Sequence, residues 1–399
     1  MASRTGRFVL STMKTPLAWK NLIHDYRRLT VAIGGIAFAV MLMFQQRGFQ
    51  NALYDSTVEI IREMDADIIL INSARFALTN ERRFPRDLMD VAASVEGVES
   101  VEPVYLENLR ARLRRAGNRA LPIRVIAFDI DRPVFRDQRA EITPQLDRLR
   151  KKGTALMDRL SKRSFQFSLD RSAKFPQAGE LNGRRIEMVG TFKSGRDFAH
   201  EGNLIMSTES FASYFPRRGP NPLSIVDLGL IKVNDQADLY HVSRQLELAL
   251  NREVSVMTRQ QYIDREIQFW ARNTPIGVIF TIGTIIGFVV GVIICYQILA
   301  NDIAEHMSEF ATLKAMGYSD LYFLGLVIKQ AVWLAIMGFL PGLLFSLVLF
   351  EVNTSITGLQ MVLTPLRIGF VFAATVIMCV LSGMLALRKL LAADPASLF

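Results

Sequence analysis

Four long stretches of the chain carry no charged side chain and are dominated by Leu, Ile, Val, Phe and Ala. They lie between Arg28 and Arg47, Arg272 and Asp302, Lys329 and Glu351, and Arg367 and Arg388, and hold 18, 29, 21 and 20 residues. A helix needs about 20 apolar residues to cross a ~30 Å hydrocarbon core. The pattern therefore predicts four membrane-spanning helices at 29–46, 273–301, 330–350 and 368–387. Buried helices of a soluble protein rarely run this long without a charge. The first run follows a basic segment, as a signal peptide would. That segment is 28 residues long, however, and no small-x-small cleavage site follows Phe44, so the run reads as an uncleaved span.

The segment 47–272 has a different rhythm. Short apolar runs at Asp67–Asn72, Leu121–Phe128, Arg185–Phe192 and Leu223–Val233 read as strands, and Pro85–Ser94 and Asp238–Leu250 as helices. At its ends, Phe49, Leu53, Thr57, Ile60 and Met64 recur at helical spacing, as do Tyr262, Glu266, Phe269 and Trp270 in a stretch starting near Thr258. Both neighbouring spans are thus expected to continue outward as stalk helices, able to move the domain as a lever; ordinary connecting helices fit the same spacing. The expected fold is an α-helical membrane protein with four transmembrane helices plus a mixed α/β extracytoplasmic domain inserted between the first and second.

Composition agrees. Half of the 399 residues are hydrophobic and 21% are charged, against about 25% in a soluble chain. That excludes a disordered protein, and 25 Gly with 14 Pro exclude a collagen-like one. Basic residues set the orientation, because short cytoplasmic flanks are rich in Lys and Arg. Arg4, Arg7, Lys14, Lys20, Arg27 and Arg28 precede the first span, Lys314 and Lys329 lie between the second and third, and Arg388 and Lys389 follow the fourth. The loop 351–367 offers only Arg367. The N-terminal amphipathic segment 1–28, the loop 302–329 and the tail 388–399 are therefore expected in the cytoplasm, with 47–272 and 351–367 on the far side. Cys295 and Cys379 both fall inside spans, which leaves the outer domain without a disulfide and neither cysteine with metal-ligand spacing.

Catalytic signatures are missing. The dipeptide Gly-Lys does not occur, so there is no phosphate loop, and neither H-E-x-x-H nor G-x-S-x-G is present. His24, His200, His241 and His306 are scattered; His200 with Asp197 and Glu201 could form a metal cluster, but polar loop residues of this kind are usually solvated. No span carries an ionisable group of the sort an ion-coupled transporter holds at mid-membrane, which places the energy source elsewhere. No catalytic residue, metal or cofactor is expected on this chain.

Charge is concentrated in 110–163, with 16 Lys and Arg against six Asp and Glu. Arg110, Arg112 and Arg114 alternate with Leu109, Ala111 and Leu113, which puts the arginines on one face of a strand. Arg148, Arg150, Lys151 and Lys152 follow in an expected helix. A far-side location excludes nucleic acid. A solvated face, an acidic protein partner and anionic lipid headgroups remain open. In the second span Gly283, Gly287 and Gly291 repeat every four residues, and Gly338, Gly342 and Ser346 do so in the third, near Pro341. Small residues at this spacing let helices approach closely, within one subunit or between two.

The loop after the second span carries an apolar stripe of Ile303, Met307, Phe310 and Leu313, with Glu305 and Glu309 beside it and Gly317 placed to stop a helix. A short amphipathic helix of this kind suits a groove on a soluble partner. The pattern E-x-x-x-E-[FI]-x-x-L-[KR]-A-[ML]-G from Glu305 to Gly317, which includes Lys314, resembles the loop of FtsX/MacB-type ABC permeases. So does the layout of four spans with a large domain between the first two. Within that group the chain is most similar to the DevC-type permeases of heterocyst-glycolipid exporters, above all over Asn301–Gly342.

The resemblance implies a homodimeric permease in the bacterial, cyanobacterial-type, inner membrane, driven by a separate ABC ATPase that binds ATP and Mg. It implies a periplasmic adaptor and a TolC-like duct as further partners. Only 28 residues precede Leu29, too few for a fused ATPase, so the ATPase is expected on another chain. An FtsX-like transducer that activates a periplasmic enzyme, and a lipoprotein-extracting permease, are the alternatives.

Overall fold

The computed structural model describes residues 26–391 except 116, 133, 137, 138, 171, 198, 219, 220 and 251. The expected N-terminal segment 1–28 thus lies outside the described residues up to position 25, as does the tail from 392, and nothing of their structure enters below. The chain divides into two compact units, one of residues up to Arg47 with Thr281–Phe350 and the part from Leu363, the other of Gly48–Phe280 with Glu351–Val362.

The first unit is built from four helices long and apolar enough to cross a membrane: α1 (Tyr26–Glu63), α7 (Pro275–Glu305), α9 (Asp320–Thr357) and α10 (Pro365–Leu391). Each extends beyond the uncharged run that predicts it. Charge ends a hydropathy signal without ending a helix, and residues flanking the apolar runs are ordinary helix formers. A short helix, α8 (Met307–Ala315), lies between α7 and α9. The five glycines of the doubled motifs all face side chains of the same chain. Gly283 faces Gln46, Gly287 faces Met43 and Leu42, Gly291 faces Ala39 and Met378, Gly338 faces Ile36, and Gly342 faces Val40. Small residues on α7 and α9 thus admit the buried edge of α1 (Ile36, Ala39, Val40 and Met43). Phe339 joins the cluster between Phe44 and Phe372, at ring distances of 5.9 and 5.0 Å. Ser382 Oγ donates to the Val292 carbonyl at 2.9 Å, tying α10 to α7. α9 runs on through Pro341.

The second unit holds an eleven-stranded sheet. Its elements in chain order are β1 (Ile68–Asn72), β2 (Phe84–Pro85), α2 (Asp87–Ala93), β3 (Val98–Glu107), β4 (Arg112–Arg114), β5 (Leu121–Pro122), β6 (Arg124–Phe128), α3 (Arg139–Ile142), β7 (Thr154–Asp158), β8 (Gln177–Leu181), β9 (Arg184–Phe192), β10 (Asn203–Ser207), α4 (Thr208–Tyr214), β11 (Ile225–Val226), β12 (Leu228–Val233), α5 (Leu239–Ala249), β13 (Val254–Thr258) and α6 (Arg259–Arg272). The strand order is β13-β1-β12-β3-β6-β10-β7-β9-β8-β4-β5, antiparallel except for β6 with β10 and β7 with β9. Period-two alternation divides the core. Ile68 and Leu70, Val125 and Ala127, and Leu204 and Met206 face one side, with Met89 of α2 and Leu246 of α5. Ile69 and Ile71, Ile126 and Phe128, and Ile205 face the other, with Ile60 and Met64 of α1 and Tyr262 of α6.

The predicted strands are present, with two of them divided. Leu121–Phe128 becomes β5 and β6, and Leu223–Val233 becomes β11 and β12. The helix expected over Pro85–Ser94 begins at Asp87, because Phe84 and Pro85 pair with β11. The second stalk is a correction of a different kind. α6 opens at Thr258, whose side chain and Gln261 form a capping box, but it ends at Asn273 and a new helix starts at Pro275. Proline disfavours a helical residue before it and supplies no N–H, so the stalk and the span are two helices.

One buried carboxylate organises the middle of this unit. Asp227 is fully buried between β11 and β12. Its side chain accepts from Arg83 Nε at 3.2 Å, from the Leu106 N–H at 2.9 Å and from Arg218. Arg75, also buried, donates to the Asp227 carbonyl at 2.8 Å and to the Leu78 carbonyl at 2.7 Å. A second buried group joins Arg124, Asp197, His200 and Asn108. His200 Nδ1 lies 2.9 Å from Asp197 Oδ1 and its Nε2 2.9 Å from the Asn108 carbonyl, while Arg124 pairs with Asp197. The expected solvation of His200 and Asp197 is therefore wrong. Arg124 projects from β6 into the same pocket and provides the counter-charge that allows burial.

The glycine contacts set a graded test. A Cβ at Gly342 would stand 2.8 Å from Val40 Cβ and 2.9 Å from the Ala37 carbonyl oxygen, whereas one at Gly287 would sit at ordinary distances of 3.4 and 3.5 Å. Gly342→Ala is expected to destabilise the helix bundle by about 1–3 kcal/mol, as overpacking does. Gly287→Ala should be neutral or slightly stabilising. Thermal unfolding of the two purified variants, compared by a bundle-specific probe, decides; equal behaviour would show that the α1–α9 approach is not close.

Candidate functional site: the loop after the second spanning helix

The helix expected as one piece over 302–317 is divided. α7 continues to Glu305, His306 interrupts, and α8 covers Met307–Ala315. His306 Nδ1 lies 2.9 Å from the Asp302 carbonyl, so an imidazole competes for an acceptor of the α7 ladder. Glu305 and Glu309 consequently stand on either side of the interruption, both exposed. The base of the loop is tied down. Ile303 is buried, and Gln330 Nε2 of α9 donates to Asp302 Oδ2 at 3.3 Å.

α8 stops as its glycine predicts. Gly317 adopts φ +94°, the Tyr318 N–H reaches the Leu313 carbonyl at 3.2 Å and the Gly317 N–H the Lys314 carbonyl at 3.0 Å. These paired bonds form a Schellman motif, which needs a left-handed residue at that place. Lys314 then reaches across the turn to Asp320 at 3.4 Å. Leu313 is half-buried, and the Phe310 side chain lies outside the described ones. Sequence reasoning missed the exposed apolar group that follows. Met316 is 63% exposed and Leu321 77%, next to Tyr318, whose ring lies 4.8 Å from that of Tyr322. The Glu-to-Gly pattern ends at Gly317, and no periodicity bridges the turn, so this surface has no sequence signal.

The basic residues of the stretch 110–163 are placed differently from one another. Arg112 and Arg114 are exposed on β4 around buried Leu113, as alternation predicts. Arg110 lies in a bend before the strand, and Leu109 there is exposed rather than buried, its N–H held by Glu81 at 3.2 Å. The helix expected through Lys152 ends at Arg150. Most of this charge is answered by acids, largely from other elements: Arg114 by Glu180, Arg150 by Asp131 and by Asp147 of its own short helix, Lys151 by Glu187, and Lys162 by Glu201. The stretch is basic in sequence and largely neutralised in the fold.

Beside Arg110 two carboxyls share a site. Burial pushes the Glu107 carboxyl up, and its hydrogen bond to Glu81 and the charge of Glu81 add to this, to about 7. Burial works against the charge on Glu81 too, but the hydrogen bond from Glu107, Arg83 alongside and the N–H groups of Leu109 and Asn108 hold it below the usual range. One proton is thus kept on Glu107, although Arg83 and Arg218 each lie 3.6 Å from it, because like carboxyls in contact do not both ionise readily.

Comparison with known proteins bears on the first unit. Residues 276–395, which include the whole loop, match the family profile described as FtsX-like permease C-terminal. No curated protein matches the chain. Among solved structures, the periplasmic region of MacB from Actinobacillus actinomycetemcomitans is similar at 12% identity with a TM-score of 0.34, over 52% of this chain and 94% of that one. The extracellular domain of the noncanonic ABC-type transporter YknZ from Gram-positive bacteria is similar at 12% identity with a TM-score of 0.32, over 48% and 98%.

The carboxyl pair gives a pH test. Between about pH 4.5 and 7 the folded chain holds a proton on Glu107 that the unfolded chain has released, so stability falls as pH rises through this window. Glu81 acts in the opposite sense, but at more acid pH. Glu107→Gln keeps a donor for Glu81 and removes the titration. From pH 5 to 7.5 the wild type is expected to lose roughly 1–3 kcal/mol relative to the variant. Denaturant unfolding of both at several pH values measures this; parallel stability curves would show Glu107 ionised throughout.

Proposed function

We propose that this chain is the membrane subunit of an ATP-driven ABC exporter. The observation that carries the reading is the FtsX-like permease match over 276–395, which spans three of the long apolar helices and the loop between the second and third. The absence of a Gly-Lys dipeptide supports a non-catalytic subunit whose ATP and Mg are bound by a separate ATPase. The α8 loop is the docking element on that ATPase. Leu313 and Phe310 serve as apolar anchors, Glu305 and Glu309 pair with basic groups at the groove rim, and Lys314 and Gly317 fix the helix end.

In the finer reading the complex is DevC-like. Two copies of the chain assemble with a periplasmic adaptor and a TolC-like duct, ATP binding closes the cytoplasmic side, and the outer domain moves an amphiphile such as a glycolipid. An interfacial helix lying on the membrane would show the same apolar stripe as α8. The charge argues for a protein groove instead: Asp302, Glu305 and Glu309 against Lys314 alone would be repelled by an anionic leaflet.

Truncating a good anchor in a groove costs about 2 kcal/mol or more, whereas an exposed rim pair contributes on the order of 0–1 kcal/mol. Phe310→Ala combined with Leu313→Ala is expected to leave the chain folded and to abolish stimulated ATP turnover in the complex. Glu309→Lys should weaken assembly in a salt-sensitive way. Co-purification after crosslinking identifies the ATPase. If the double variant still retains it at wild-type level, α8 is not the coupling element.

A further inference from the structure

A cavity of about 520 Å³ opens on the outer unit where three separate segments meet. Arg110 comes from the bend before β4, Arg184 from the start of β9, and Arg217 and Arg218 from the turn after α4, with Tyr214 and Phe215 forming an apolar wall. The walls are held by backbone. Asn182 and Gly183 form the β8–β9 turn with φ of +53° and +77°, and Asn182 is fixed to β4 from both sides: its Oδ1 accepts the Arg112 N–H at 2.9 Å and its own N–H reaches the Arg112 carbonyl at 2.9 Å. The Tyr214 hydroxyl donates to the Arg185 carbonyl.

The charges on these walls are not balanced. Arg218 is nine-tenths buried; it pairs with Asp227 and donates to the Leu106 carbonyl at 2.6 Å, but its Nε is buried with no partner. Arg184 donates to a neutral acceptor, the Ser213 carbonyl. Among the described residues neither Arg110 nor Arg217 is ion-paired. Elsewhere on this unit arginines find carboxylates, as Arg114 and Arg150 do. The one carboxyl on the cavity wall is Glu107, whose proton is retained up to about pH 7.

We propose that this cavity binds a phosphoryl-bearing anion. Three guanidinium charges without a counter-charge favour a ligand carrying between one and two negative charges over a singly charged carboxylate. Planar guanidinium forks match phosphate oxygens two at a time. The aromatic wall leaves room for an organic group esterified to the phosphate, and the volume is in the range of small-molecule sites. The same chemistry is offered by a free phosphate and by a phospholipid headgroup. The site stands independently of the exporter reading.

The test uses the full chain in nanodiscs of a zwitterionic lipid. Inorganic phosphate and dihexanoyl phosphatidate are titrated separately by calorimetry. Arg110 and Arg217 are exposed, so Arg110→Ala and Arg217→Ala leave the core intact, and each is expected to weaken binding about tenfold. Arg112→Ala, on β4 with its side chain off the cavity lining, should change nothing. Similar affinities for the two probes assign a soluble phosphate compound; phosphatidate binding at least tenfold tighter assigns a lipid headgroup. The proposal is overturned if neither probe saturates, if both alanine variants bind as the wild type does, or if acetate competes as well as phosphate.

Discussion

The α/β unit depends on a charge that has no access to water. Asp227 sits between two short strands and is reached by Arg83, Arg218 and the Leu106 N–H, with Arg75 anchored to its carbonyl. A carboxylate buried alone would be far less stable than one in solvent, so each partner is required by the others. The arginines come from the loop after β1 and from the turn after α4, segments far apart in sequence. Loss of Asp227 would leave Arg83 and Arg218 without the carboxylate they share. A well-packed apolar replacement could match the stability of such a network, but it would not impose the same pairing of segments.

That network also explains the surface beside it. Arg218 is committed inward, which fixes the turn carrying Arg217 and so the mouth of the arginine-lined cavity. Glu107 ends β3 next to the same group and keeps its proton because it is buried and shares a hydrogen bond with the charged Glu81, which outweighs the single backbone donor it receives from Arg110. Buried charge, shared proton and exposed arginines are consequences of one arrangement of β3, β12 and the turn after α4.

The membrane helices were legible because lipid leaves few alternatives: an uncharged run of 18 or more residues has to satisfy its backbone internally. Their ends were less legible, since Arg47 or Glu351 halts a hydropathy run while the helix continues. In the α/β unit, alternating strands such as β9 were readable. β7 and β10 were not, because Thr154–Asp158 and Asn203–Ser207 are buried on both faces and lack a period-two signature. The pattern from Glu305 to Gly317 was visible as a motif, but the interruption at His306 depends on one imidazole choosing a carbonyl. The cavity had no sequence signal at all. Arg110, Arg184 and Arg217 come together only through the tertiary fold, and the local density of Lys and Arg misleads, since most of it is neutralised by acids from other parts of the unit.

The glycine-terminated helix α8 has a consequence for anyone wishing to isolate the loop. It has nine residues, well below the roughly 12–15 at which an isolated helix becomes even marginally stable. Its shape is borrowed from Ile303 and Gln330 at its base and from the left-handed Gly317 at its end. A synthetic peptide of this sequence would have to be ordered at about 1–2 kcal/mol for each residue fixed. The same surface presented by the intact chain is already ordered, so chemical mimicry of the loop calls for a staple or a cyclic constraint that reproduces the turn at Gly317.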